Sequence, residues 1–117
     1  MNILIKGSLL VCIILWSTTS YGQSTVSGEV TDMKCYLANG ASGPDHAKCA
    51  KACAKAGQPI GLLTANGDLY LLAIGEDKSQ FETLKELAGE NVEVSGKVSE
   101  KNGMNLLVVG TAKKSGS

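Results

Sequence analysis

The sequence predicts a mainly β fold: a five-stranded OB-like Greek-key barrel, with a Cys/His helix inserted between strands 1 and 2 and a short helix between strands 3 and 4. Three observations point there. Several stretches alternate apolar and polar residues with a period of two, the pattern of half-buried strands. Two Asn-Gly pairs, Asn66-Gly67 and Asn102-Gly103, fall where hairpins would turn. One segment, CYLANGASGPDHAKCAKAC from Cys35 to Cys53, breaks the alternation with helix formers and gathers most of the reactive side chains.

In chain order, Thr25 to Met33 sets Val26, Gly28 and Val30 against polar neighbours and reads as strand 1. Gly28 in mid-strand marks a bend or bulge, and the strand delivers Cys35 at its end. A flexible loop from Ala38 to Gly43 leads into the inserted helix. Ser42 is its expected N-cap and Asp45 the capping-box acid, Pro44 suits the first turn, and Gly57 with Pro59 stops it. Pro59 to Ala65 and Asp68 to Ile74 form strands 2 and 3 around Asn66-Gly67, a two-residue turn in which both central residues take positive φ. Ser79 and Glu82 make a second capping box for a helix with Phe81, Leu84, Leu87 and Ala88 at core spacing, ended by Gly89. Asn91 to Ser99 and Met104 to Val109 complete the set around Asn102-Gly103. This order is that of the OB-fold, whose loops commonly carry ligand sites. An α+β sandwich of two hairpins and a helix is the alternative.

A length of 117 residues allows one domain. Lys6, the apolar run Gly7 to Trp16 and the small residues of Ser20-Tyr21-Gly22 read as an export signal over residues 1–22, cut before Gln23. A single OB-like domain over 23–112 and a disordered tail over 113–117 follow. The apolar run is too short to span a membrane comfortably, so no insertion is expected after cleavage. The exported chain keeps ten lysines, no arginine and eleven acidic residues, for a charge of about −1. Its aromatics are Tyr36, Tyr70 and Phe81. With neither a basic field nor stacking platforms, nucleic acid is excluded as a partner. The expectation is a periplasmic or extracellular monomer.

The run CYLANGASGPDHAKCAKACAKAGQPIGLL, then NGDLYLL and LAGENVEVSGKV, resembles a group of small exported bacterial proteins of unknown function. These are similar to periplasmic OB-fold domains carrying an added Cys…His-x2-Cys-x3-Cys segment after the first strand. The resemblance spans nearly the whole exported chain and implies the fold rather than an activity. Some similar proteins carry a His close behind the first Cys. Here Tyr36 to Gly40 contains none, which leaves His46 as the only imidazole.

Export exposes thiols to oxidising surroundings, and three cysteines remain there, an odd number. At about 100° per residue, His46, Cys49 and Cys53 fall within roughly 60° on one helix face. With Cys35 arriving from strand 1, the four make a Cys3His set suited to zinc or, through its soft thiolates, copper(I). The competing reading is a disulfide from Cys35 to Cys49 or Cys53, which pins the helix and leaves one thiol over. A bridge between Cys49 and Cys53 would distort the helix, because i and i+4 Cβ atoms lie about 5–6 Å apart. The pinned domain would then bind a peptide, glycan or protein across the barrel. A thiol hydrolase lacks an identifiable orienting group and oxyanion hole, and C-x3-C fits redox catalysis less well than C-x2-C. Lys48, Lys51 and Lys55 read as a solvated face, and Met33 and Met104 as packing.

Overall fold

The computed structural model describes residues 23–116; the expected export signal lies outside the described residues. Five strands, β1 (Ser24–Asp32), β2 (Ile60–Leu63), β3 (Leu69–Ile74), β4 (Asn91–Lys101) and β5 (Met104–Lys114), close into a barrel in the order β1-β2-β3-β5-β4. Closure rules out the open sandwich. The β3–β5 pair is parallel, with Tyr70 opposite Asn105 and Ile74 opposite Val109, and the other ladders are antiparallel. β1 straddles the seam: Ser24 to Glu29 pair with β4, then Glu29 to Asp32 pair with β2. A strand that changes neighbours must curl, and Gly28 sits at that change. A Cβ there would lie 2.4 Å from the Leu63 carbonyl oxygen, so the residue serves close backbone approach. The register shift falls instead between Ser95 and Gly96.

The alternating apolar residues fill the barrel. Val30, Leu62, Val92, Val94, Leu107 and Val109 are fully buried, and Ile60 nearly so. Of each leucine pair, one member goes inward (Leu62, Leu72, Leu107) while Leu63, Leu71 and Leu106 are half-buried, as a two-residue period requires. The Asn102-Gly103 hairpin has both residues at positive φ, 53° and 81°. At Asn66-Gly67 only Gly67 does, at 86°. There Thr64 and Asp68 close a three-residue loop, with the Gly67 amide donating to the Thr64 carbonyl and the Thr64 amide to Asp68. This is the next commonest hairpin, a turn followed by a left-handed residue. β5 runs on to Lys114, pairing Ala112, Lys113 and Lys114 with Val94, Glu93 and Val92. The ordered barrel thus extends past the boundary expected at 112.

Three helices decorate the barrel. Helix α3 (Lys78–Glu86) lies between β3 and β4, packs on β5 and β3, and buries Leu84. Its cap is Asp77, whose side chain accepts from the Ser79 amide, rather than Ser79. Between β1 and β2 the insert holds two helices, α1 (Met33–Asn39) and α2 (Ala47–Lys55), joined through a 3-10 turn at Pro44–His46. No side chain caps that turn, so Ser42 and Asp45 form no capping box, while Pro44 does occupy its first position. α2 lies against β1 and α3 through Ala50 and Ala54. Gly89, at φ 85°, lets it approach, since a Cβ there would lie 2.4 Å from the Cβ of Ala47. Among the described residues no helix is long and apolar enough to cross a membrane.

Candidate metal centre

The site forms where β1 gives way to α1. Asp32 is the last residue of the strand and the N-cap of the helix, and its Oδ1 accepts the amides of Lys34 (3.0 Å) and Cys35 (3.4 Å). Aspartate is a preferred cap because its carboxylate satisfies amides that the first turn leaves open. The cap also fixes the carboxylate: with Oδ1 engaged, Oδ2 is aimed away from the backbone. Cys35 therefore sits in the first turn of α1, not on a strand, because the chain turns helical directly after Asp32.

His46 comes from the other side, at the junction of the 3-10 turn and α2. Its backbone amide donates to the Gly43 carbonyl at 3.1 Å. The Gly43 amide in turn donates to both carboxylate oxygens of Glu29, at 3.0 and 2.9 Å. A charged side chain on β1 thus moors the turn that carries the imidazole.

His46 Nε2 and Asp32 Oδ2 face each other at 3.8 Å, with side chains 19% and 0% exposed. Neither atom has a hydrogen-bond partner although both are buried. That distance is too long for a hydrogen bond. Donors of Asp32, Cys35 and His46 all lie within 4.8 Å of one another. On a tetrahedral zinc with bonds near 2.1 Å, two N or O ligands stand roughly 3.4 Å apart, so small side-chain movements bring the group to that geometry.

Cys53 approaches Cys35 and the Asp32 carboxyl from α2. Neither Cys53 nor Cys49 is in the Asp32–Cys35–His46 group, and Cys49, unlike Cys53, is exposed. The helix shows why. Ala50 and Ala54 define the buried stripe, Cys53 lies about 60° from Ala50 on its shoulder, and Cys49 lies about 100° away toward solvent. Of the four expected ligands, the structure brings together Cys35 and His46, with Cys53 beside Cys35. The residue missed in the sequence is Asp32. Its signal was a cap-forming acid three positions before Cys35, hidden because a strand was expected to run through it.

The electrostatics follow from this crowding. Burial pushes the Asp32 carboxyl up, but the nearby Cys35 and Cys53 thiols and the hydrogen-bonding Cys35 and Lys34 amides outweigh it, leaving a net lowering. The same carboxylate holds protons on the sulfurs. Contact with the Asp32 carboxylate, then burial, then the Asp32 charge push Cys35 up to about 11, and Cys53 rises for the same leading reason. A thiol held protonated is a poor nucleophile, which does not favour a hydrolase built on Cys35, His46 and Asp32. Among the described residues the three cysteines, Cys35, Cys49 and Cys53, are free, with no pair at bridging distance.

Of the other residues marked in the sequence, Met33 is buried packing, while Met104 is 60% exposed. Lys51 and Lys55 make surface ion pairs with Glu90 and Glu86, both at 3.3 Å. Comparison with family models, curated proteins and solved structures returns no match, so the geometry of the site carries the functional argument.

Proposed function

We propose that this protein is a small exported metal-binding domain, OB-like in strand order, whose Cys/His insert holds one zinc ion through Asp32, Cys35, His46 and Cys53. The observation that carries this reading is the pair of buried, partnerless atoms, His46 Nε2 and Asp32 Oδ2, facing each other at 3.8 Å beside a thiol. Buried polar atoms normally find partners, and a cation seated between these two would satisfy both. The mixed donor set favours zinc over copper(I). Zinc accepts oxygen, nitrogen and sulfur together, whereas copper(I) prefers sulfur. Three ligands come from the β1–α1 junction and the turn before α2, and Cys53 comes from α2 itself. The ion would therefore tie the two inserted helices to the barrel. Four protein ligands would leave no open position, the mark of a structural site rather than a catalytic one. All four donors come from one chain, which supports a monomer. The apolar leader and the resemblance to exported bacterial proteins support export.

The test is zinc titration of the reduced protein by calorimetry and native mass spectrometry, beside Asp32→Asn. Asparagine remains a good N-cap, so the apo variant should lose no more than about 1 kcal/mol of stability. Its zinc affinity should fall at least about tenfold, since even residues behind the ligands of a metal site are worth about that much. Zinc binding should also release protons, because the ligating thiols must ionise. A wild-type protein that ignores zinc, or an Asp32→Asn protein that binds it unchanged, overturns the assignment.

A further inference from the structure

The ion would use only one of two chemistries open to the same pair of sulfurs. Cys35 and Cys53 lie near each other on separate helices, both beside the Asp32 carboxyl, with their sulfurs free and not at bonding distance. Neither shares a helical turn with the other, so a bond between them needs no distortion within a helix, unlike Cys49 with Cys53. Both are partly accessible rather than sealed in the core. The only other described thiol, Cys49, is exposed; the group of donors within 4.8 Å of one another holds Asp32, Cys35 and His46, with Cys53 beside Cys35.

We propose that Cys35 and Cys53 form a reversible disulfide whose formation and the binding of zinc exclude each other, so that the insert is held either by an ion or by a bridge. This deepens the zinc reading and rests on it for the exclusion, though the bridge itself can be tested without metal. The oxidant is a small-molecule disulfide such as oxidised glutathione. One cysteine sulfur attacks its S–S bond, forming a mixed disulfide and releasing one glutathione thiolate. The second cysteine sulfur then displaces the other glutathione thiolate, and the Cys35–Cys53 bond forms. Two electrons pass from the protein sulfurs to the oxidant, and zinc leaves as Zn2+ with its charge unchanged. Asp32 and His46 alone remain as donors, too few to hold zinc firmly. Both states close the same loop of chain, which contains the 3-10 turn and His46.

The experiment uses the exported chain with Cys49→Ser, which removes the exposed thiol without touching the site. Zinc-loaded and metal-free samples are treated with excess oxidised glutathione. Zinc release is followed with a colorimetric chelator, and bridges are mapped by non-reducing peptide mass spectrometry. The expected result is one zinc released per two thiols lost, a mapped Cys35–Cys53 bridge in both samples, and zinc affinity at least about a hundredfold weaker until dithiothreitol is added. Zinc retained after the thiols are consumed, or stable mixed disulfides without a bridge, overturns the exclusion while leaving the zinc site standing. Failure of the reduced protein to bind zinc overturns the metal reading and the exclusion with it, whatever the bridge map shows.

Discussion

The barrel and its insert are built on opposite principles. The barrel buries Val30, Leu62, Val92, Val94, Leu107 and Val109 completely, and its order comes from apolar surface removed from water. The insert between Asp32 and Ile60 buries only Met33, Ala50 and Ala54. Methionine aside, that is two methyl groups, far too little to fix two short helices that would be marginal alone. What it has instead is a polar cluster of Asp32, Cys35, His46 and Cys53, with Glu29 mooring the turn. The comparison teaches that one part of this chain is ordered by apolar burial, while the other gathers its polar side chains at one point with little apolar burial behind them.

The largest effect should come from the barrel itself. Leu107→Ala removes a fully buried side chain and should cost about 2–5 kcal/mol, read as a lower midpoint in urea. Zinc affinity measured where the variant is still folded should be unchanged. If affinity falls in step with stability, the two regions are not separable. A smaller effect is expected at their junction. Gly89→Ala places a Cβ against Ala47 at a positive φ and should cost about 1–3 kcal/mol. Because it pushes on α2, it should weaken zinc binding as well, which Leu107→Ala should not. Thermal melts with and without zinc would show whether the metal-induced shift shrinks.

The smallest effect concerns Glu90, which reaches both regions. It pairs with Lys114 of β5 at 3.0 Å and Lys51 of α2 at 3.3 Å. Hydrogen bonding to Lys114 foremost, and to Lys51, holds its carboxyl below the ordinary glutamate value against the effect of burial. A depressed folded pKa means stabilisation that is present above the ordinary carboxylate value and lost as pH falls through the folded one. Glu90→Gln should therefore lower stability by no more than about 0.5 kcal/mol near neutral pH, and the difference should vanish in acid and shrink at high salt. A gap between the proteins that persists at low pH would show that the pairs are not its source.

The same division explains what could be read from the sequence. Period-two alternation over Thr25 to Met33 and Asn91 to Ser99, and apolar runs flanking the Asn-Gly pairs, located all five strands because they report the apolar burial that makes the barrel, and Asn102-Gly103 announced its hairpin correctly. The insert yielded its residue types but not its geometry. Helix α1 was missed because seven residues carry no useful periodicity, so Cys35 was expected just past the end of strand 1 rather than in a helical turn. Cys49 was grouped with His46 and Cys53 because helical angles relate residues only to one another. Which flank meets the barrel is decided by Ala50 and Ala54, whose small size gives little sign of burial. Glu29 was invisible for a different cause, since its role arises only when the distant Gly43 amide arrives beside it, while the local cap at Asp32 was masked by the strand expected to run through it.

The closed ladder of the barrel has one more consequence. Because β1 bonds to β4 through Ser24 to Glu29 and to β2 through Glu29 to Asp32, none of the described strands is a full-length edge, and open backbone groups are confined to short stretches such as the free side of Ser24 to Gly28. If the insert frays when its ion is stripped or its sulfurs are reduced, what loosens is helical flap and not a template for fibrils. Such a chain could pass between tethered and untethered forms and remain dispersed.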